Sequence, residues 1–230
     1  MSVSIYSIRT RFIFSLFANL LRGAAGFSTN ILIARYLLPG NYGVLAFLLT
    51  SFQALMQLFD HGVSSAFYTF ISKKAPKPGV YYVYLTWIIG QFALIMIFVS
   101  VLLPEKLLNT LWNHSSKGLV LWAFVAIFSQ QVIWSSITQL GEAKRRTLIA
   151  QGASIIVAMI YLTLIFVTHR FVTLSPILVL KTMSGVYLSA SALMVFVFIN
   201  YRDIGKGLRF NFHQFKLCIS DYYVYCKDKS

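Results

Sequence analysis

The chain has 230 residues, of which 58% are hydrophobic and only 11% are charged. Soluble proteins average about 25% charged residues, so this chain has too few charges to cover a soluble domain, and its mean hydropathy of +0.72 agrees. A net charge of +14 would indicate nucleic acid in a soluble protein, but here the basic residues lie in short groups between apolar stretches. The composition excludes a soluble enzyme and a nucleic-acid partner, and it indicates a protein that contacts membrane lipids.

Six apolar stretches have the length of about 20 residues that a membrane-spanning α-helix requires. The predicted spans are residues 12–34, 43–60, 80–103, 119–140, 147–168 and 176–200. Turn-forming residues separate them, including Pro39, the two prolines in residues 75–79, and Pro104. We predict an all-α polytopic membrane protein with a six-helix bundle in residues 1–200 and a cytoplasmic, basic and aromatic tail in residues 201–230.

The basic residues predict the orientation of these spans. If six spans are present, the clusters at residues 9–11, 73–77, 144–146 and 202–209 all lie on one side of the membrane. The other side carries only isolated basic residues, which are Arg35, Lys106, Lys117 and Arg170. Because basic loops are retained in the cytoplasm, we expect both termini to be cytoplasmic. Because all the basic clusters fall on one side when six spans are assumed, the basic residues support the span count independently of hydropathy.

Polar side chains recur at helical spacing within the spans. Such residues also serve helix packing, but a charge near mid-span costs about 2.5–3.5 kcal/mol, and Arg22 lies too deep to reach the interface easily. For Asp60 and Lys181, near span ends, an interfacial position is an equal alternative. We predict a hydrated cationic cavity in which Arg22 binds a phosphate group. The predicted cavity residues are Asn19, Arg22, Asn30, Gln53, Gln57, Asp60 and Lys181.

Sequence motifs of soluble catalysis are missing. The chain contains no Walker loop, dinucleotide-binding glycine pattern, HExxH or GxSxG. Its four histidines are scattered, and its two cysteines, Cys218 and Cys226, have no metal-ligand spacing. We therefore predict no enzymatic activity, no metal site and no cofactor.

Three short segments of the sequence resemble those of a known family. Residues 22–26 read RGAAG, residues 31–43 read ILIARYLLPGNYG, and residues 58–66 read LFDHGVSSA. This arrangement resembles the N-terminal region of the polysaccharide biosynthesis flippases, the Wzx-type O-antigen translocases of the multidrug/oligosaccharidyl-lipid/polysaccharide exporter superfamily. The family turn has a glycine before the proline and an acidic residue directly after it, and residues 38–41 lack both. Residues 139–146 resemble the family's loop after the fourth span.

The resemblance covers approximately residues 1–200. It implies translocation of an undecaprenyl-pyrophosphate-linked oligosaccharide, an O-antigen or capsule repeat unit, across the bacterial inner membrane. Membrane lipids and other polysaccharide-assembly membrane proteins are the implied partners. The implied mechanism is alternating access between two six-helix bundles, whereas this sequence predicts one, so the expectation is a truncated form or pairing with a second copy.

Two other functions stay open at this stage, and an integral-membrane glycosyltransferase or polymerase is a weaker third alternative. One is export of drugs or other amphiphiles by a transporter of the same fold class. The other is a non-transporting membrane subunit or an inactive remnant.

Overall fold

A computed structural model describes residues 8–60, 62–72, 78–102, 104, 110, 112 and 115–198. All regular structure in this part of the chain is helical, which confirms the predicted all-α class. The helices are α1 (Ile8–Tyr36), α2 (Pro39–Asp60), α3 (Val63–Ser72), α4 (Pro78–Ile97, continued by a π-helix at Phe98–Leu102), α5 (Lys117–Ala143), α6 (Thr147–Phe171) and α7 (Pro176–Phe198). The predicted tail at 201–230 lies outside the described residues.

Five helices are long and apolar enough to cross a membrane. They are Pro39–Asp60, Tyr81–Val101, Lys117–Ala143, Thr147–Phe171 and Pro176–Phe198, and they coincide with predicted spans two to six. Large apolar side chains such as Leu193 and Phe171 are exposed on their outer faces, where lipid would cover them. The protein is therefore embedded in a membrane.

Helix α1 coincides with the first predicted span but is not one of these five. It is 29 residues long, more than the length of about 20 residues that a span needs. Its charged and amide side chains, among them Asn19, Arg22 and Asn30, make it the least hydrophobic of the long helices. The structure thus confirms a helix here, and its passage through the membrane stays a prediction.

Proline and glycine set the ends of several helices. Pro39 and Pro176 are the first residues of α2 and α7, where the missing N–H group would have no helical partner. Gly62 has φ of +80°, a conformation that strains other residues, and it separates α2 from α3. The Asp60 carboxylate accepts a hydrogen bond of 3.2 Å from the Ser64 backbone N–H, so it stabilises the positive end of α3.

Helix α5 is the centre of the bundle. In its most apolar window 56% of the residues are buried, compared with 22–39% in the other four apolar helices. It packs against α7 along its length, against α2 over residues 117–134, and against α6 and α3 near its C-terminal end. Residues on every face of α5 can therefore contribute to contacts between helices.

Helix α1 packs along α6. Its buried stripe begins with small residues, Ala18, Ala25 and Thr29, which let two membrane helices approach closely. At the C-terminal ends of these helices, the Tyr36 and His169 rings stack with their centroids 3.5 Å apart. The two helices therefore run parallel, as the predicted topology requires.

The loop between α5 and α6 ends α5 with a Schellman motif. The Arg146 N–H donates to the Gly141 carbonyl, and the Arg145 N–H donates to the Glu142 carbonyl, both at 2.9 Å. The residue at the left-handed position is Arg145, with φ of 61°. Glycine is usual at this position because it has no Cβ atom to strain the backbone.

Replacing Arg145 by glycine is expected to stabilise the protein by about 1 kcal/mol, since the left-handed conformation costs an L-residue about 1–2 kcal/mol. The measurement is the thermal unfolding midpoint in detergent. Arg145→Ala is the matched control, because it removes the same charge and keeps the strain. An equal gain in both variants would assign the effect to charge and contradict the strain argument.

The same loop is tied to α7. The Lys144 Nζ atom donates to the Phe198 carbonyl at 2.9 Å, and an Arg146 guanidinium nitrogen donates to the Val197 carbonyl at 2.8 Å. The Phe198 ring is buried over Gly141, where a Cβ atom would lie 2.5 Å from the ring. The basic loop thus fixes α7 against the end of α5.

Candidate membrane-embedded binding site

A cavity of about 240 Å³ lies between α2, α4 and α5. We call it the amide cavity, because five glutamines form most of its polar lining. Its carboxylate is Asp60, its exposed aromatic ring is Trp87, and no lysine or arginine is among the described residues that line it. The lining glutamines are Gln53, Gln57, Gln91, Gln131 and Gln139.

Helical periodicity brings these side chains together. On α2, Gln53, Gln57 and Asp60 recur at spacings of three and four and so share one face. A different face of α2 carries the buried Leu48 and Phe52 and packs into the core around α5. The core contact therefore fixes the direction in which the polar face of α2 points.

A chain of hydrogen bonds links four helices at one end of this cavity. The Ser64 hydroxyl donates to the Asp60 carboxylate at 2.5 Å and lies 3.2 Å from the Tyr84 hydroxyl. The Tyr84 hydroxyl lies 2.7 Å from the Ser136 hydroxyl. Because α2, α3, α4 and α5 each contribute one of these residues, the chain holds this wall of the cavity together.

An apolar groove of about 600 Å³ adjoins the amide cavity. Tyr84 and Ile88 of α4 line both spaces, so these two side chains form a wall that the spaces share. Lys144, in the basic loop, is the charged residue that lines the groove. Most other lining side chains are apolar, including Phe67, Leu85, Ile89, Phe92, Phe128 and Leu188.

A second polar group, which we call the arginine cluster, consists of Asn19, Arg22, Gln130 and Tyr187. The Arg22 guanidinium donates to the Asn19 side-chain oxygen at 2.8 Å. The Gln130 amide donates to the Tyr187 hydroxyl at 2.9 Å, and that hydroxyl is close enough to Arg22 to interact electrostatically. Arg22, Gln130 and Tyr187 are the central residues of α1, α5 and α7, so the cluster lies at mid-bundle.

A π-helical segment of α5, Phe128–Trp134, joins the two polar groups. Gln130 faces Tyr187, whereas the next residue, Gln131, lines the amide cavity. π-helical turns are uncommon and occur frequently at functional sites. The amide cavity and the arginine cluster are therefore neighbours.

The structure divides the predicted cavity residues into three sets. Gln53, Gln57 and Asp60 line the amide cavity, and Asn19 and Arg22 form half of the adjoining arginine cluster. Two residues join neither group.

These two are Asn30 and Lys181. Asn30 is exposed on the surface of α1. The Lys181 Nζ atom lies 5.4 Å from the centre of the Trp122 ring, a cation–π contact near the opposite end of α5. The predicted cationic cavity is thus an amide cavity beside an arginine, and its role in binding stays a prediction.

Several residues of the two polar groups were not among the predicted cavity residues. They are Tyr84, Gln91, Gln130, Gln131, Gln139 and Tyr187. An available signal was the presence of amides within strongly apolar spans, where an unpartnered polar group is costly. In the described part of the chain, no three His, Cys, Asp or Glu side chains are grouped so that they could hold a metal ion.

The fold and these polar groups define a polytopic α-helical membrane protein with an intramembrane polar site. Comparison of the chain with protein-family models, with curated proteins and with solved structures finds no match.

Proposed function

We propose that this protein translocates a lipid-linked oligosaccharide, an O-antigen or capsule repeat unit on undecaprenyl pyrophosphate, across the bacterial inner membrane. The observation that supports the proposal best is the wall that the amide cavity and the apolar groove share at Tyr84 and Ile88. A polar headgroup and an apolar chain of one amphiphile can occupy adjoining spaces of this kind. Translocation needs no covalent chemistry.

The arginine cluster supplies the third part of such a ligand site. A guanidinium binds phosphate oxygens with two parallel hydrogen bonds, and the consecutive residues Gln130 and Gln131 of α5 belong to the arginine cluster and to the lining of the amide cavity, respectively. These three places match the three parts of the proposed substrate. The amide cavity would hold sugar, Arg22 would hold phosphate, and the apolar groove would hold the isoprenoid chain.

The orientation belongs to the same proposal. The amide cavity is lined by the C-terminal halves of α2 and α5, close to the basic residues 144–146. Basic loops are retained in the cytoplasm, so both termini and this end of the bundle are cytoplasmic. The cavity then lies nearer the side of the membrane on which a lipid-linked sugar is assembled.

Complementation tests the function. A bacterial strain without its O-antigen flippase is expected to regain surface polysaccharide when it expresses this chain. The double variant Gln57→Leu/Gln131→Leu is expected to reduce the polysaccharide at least tenfold, because it removes two amides from the cavity. Thr163→Val is the matched control, since this exposed residue of α6 bonds only to its own helix.

The alternatives give different results in the same strain. An exporter of drugs or other amphiphiles, which the 600 Å³ apolar groove would suit, predicts drug tolerance without polysaccharide. A non-transporting subunit predicts neither. Either result, obtained with protein that inserts in the membrane, would contradict the proposed translocation.

A further inference from the structure

We infer that the amide cavity binds one uncharged monosaccharide ring, which stacks on Trp87 and receives hydrogen bonds from the glutamines. The inference rests on the proposed function, because this ring would belong to the translocated oligosaccharide. It names the part of the substrate that this cavity recognises.

Size limits the ligand to a single ring. The cavity measures about 240 Å³, which is below the range of about 300–1,000 Å³ typical of sites for drug-sized molecules. A complete oligosaccharide repeat unit does not fit in this volume. The remaining sugars would lie outside the cavity.

The lining chemistry favours hydroxyl and acetamido groups over charged ones. Each glutamine offers two donors and an acceptor, which suits sugar hydroxyls because these also donate and accept. Asp60 is the charged group of the lining, and no lysine or arginine accompanies it among the described residues. A phosphate would therefore be repelled here and attracted to Arg22.

One glutamine has an acceptor that the protein does not use. The Gln139 Nε2 atom donates to the Ser135 hydroxyl at 3.1 Å, but its Oε1 atom is buried without a hydrogen-bond partner in the described part of the chain. An unsatisfied buried acceptor is unfavourable because it has lost water without gaining another partner. A sugar hydroxyl in the cavity would donate to this oxygen and recover that cost.

Trp87 provides a surface for the apolar side of the ring. Its side chain is 40% exposed while it lines a cavity of polar groups. An indole ring combines a large apolar face with a polar edge, and a sugar ring has an apolar face of C–H groups. The neighbouring amides can then reach the hydroxyls at the ring's edge.

The test is direct binding to the full chain in lipid nanodiscs prepared without sugar-based detergents. Saturation-transfer NMR with the methyl glycosides of glucose and N-acetylglucosamine measures the dissociation constants. Saturable binding to at least one glycoside is expected. Gln139→Leu and Trp87→Ala are each expected to weaken it at least tenfold, while Thr163→Val leaves it unchanged.

Two variants guard against misfolding. Trp87→Phe keeps an aromatic face and is expected to lose less affinity than Trp87→Ala. Gln139→Glu keeps the shape of the side chain and an acceptor oxygen, so it is expected to lose less affinity than Gln139→Leu. No saturable binding by wild-type protein with a normal thermal midpoint would overturn the inference. Displacement of the glycoside by inorganic phosphate would also overturn it, because the cavity would then be an anion site.

The glycoside-binding experiment and the complementation experiment can give different answers. Glycoside binding without polysaccharide rescue would keep the sugar site and reject translocation. Rescue that survives both Gln139→Leu and Trp87→Ala, with no glycoside binding, would keep translocation and reject this sugar site.

Discussion

Replacing Arg22 by leucine is expected to reduce the rescue of surface polysaccharide at least tenfold while leaving the protein as stable as before, or more stable. A charge at mid-span costs about 2.5–3.5 kcal/mol on insertion scales, and the Arg22 side chain is exposed. The leucine variant escapes this cost but loses the group that would hold the pyrophosphate. Complementation measures the activity, and the thermal midpoint in detergent measures the stability.

Arg35→Leu is the matched control for Arg22→Leu. Arg35 is also exposed on α1, in its last turn, so its loss is expected to leave rescue unchanged. Arg22→Lys keeps the charge but cannot bind phosphate in a bidentate way, so its rescue is expected to be intermediate. Full rescue by Arg22→Leu would remove Arg22 from the site, and a lowered thermal midpoint would indicate a structural role.

Replacing Gly141 by alanine is expected to destabilise the protein by about 1–3 kcal/mol, the usual cost of overpacking a filled core. The new methyl group would lie 2.5 Å from the Phe198 ring. That ring is buried, and its own carbonyl is held by Lys144, so it has little freedom to move away. The thermal unfolding midpoint in detergent measures the loss.

Gly152 provides the control for Gly141. It also lies within a helix, but a Cβ atom there would meet open space, so Gly152→Ala is expected to gain about 0.5–1 kcal/mol from helix propensity. In the double variant Gly141→Ala/Phe198→Ala, the two effects should be clearly non-additive, because the clash is gone. Equal midpoints for Gly141→Ala and Gly152→Ala would contradict the close contact.

Local signals in the sequence are sufficient to predict most of the helices of the fold. Apolar length predicts the helices, and Pro39 and Pro176 mark the start of α2 and α7 within a few residues. The spacing of Gln53, Gln57 and Asp60 correctly puts them on one face, because a single helix determines that relation. Asn19 and Arg22 lie on one face of α1, as their spacing predicts, and a hydrogen bond joins their side chains.

The packing of one helix against another cannot be predicted from such local signals. That Gln91 lines the same cavity as Gln53 depends on where α4 lies relative to α2, and no periodicity within one span contains this information. Lys181 was placed in the cavity because it is charged and within a span, but the packing of α7 on α5 puts it beside Trp122 instead. Asn30 keeps the helical spacing of the polar stripe, yet it lies outside both polar groups.

The π-helical segment of α5 determines the direction in which the second half of this helix presents its side chains. A π-helical turn holds one more residue than an α-helical turn with the same ends, so Phe128–Trp134 is equivalent to a one-residue insertion in a regular helix. Deleting that residue would rotate everything after it by about 100°, the angle per residue of an α-helix. Gln139 would then turn away from Gln53 and Gln57, while the first half of α5 kept its packing. The contacts of the second half of α5 with α3, α6 and α7 would turn away as well, so the π-helical segment sets both this packing and the amide cavity.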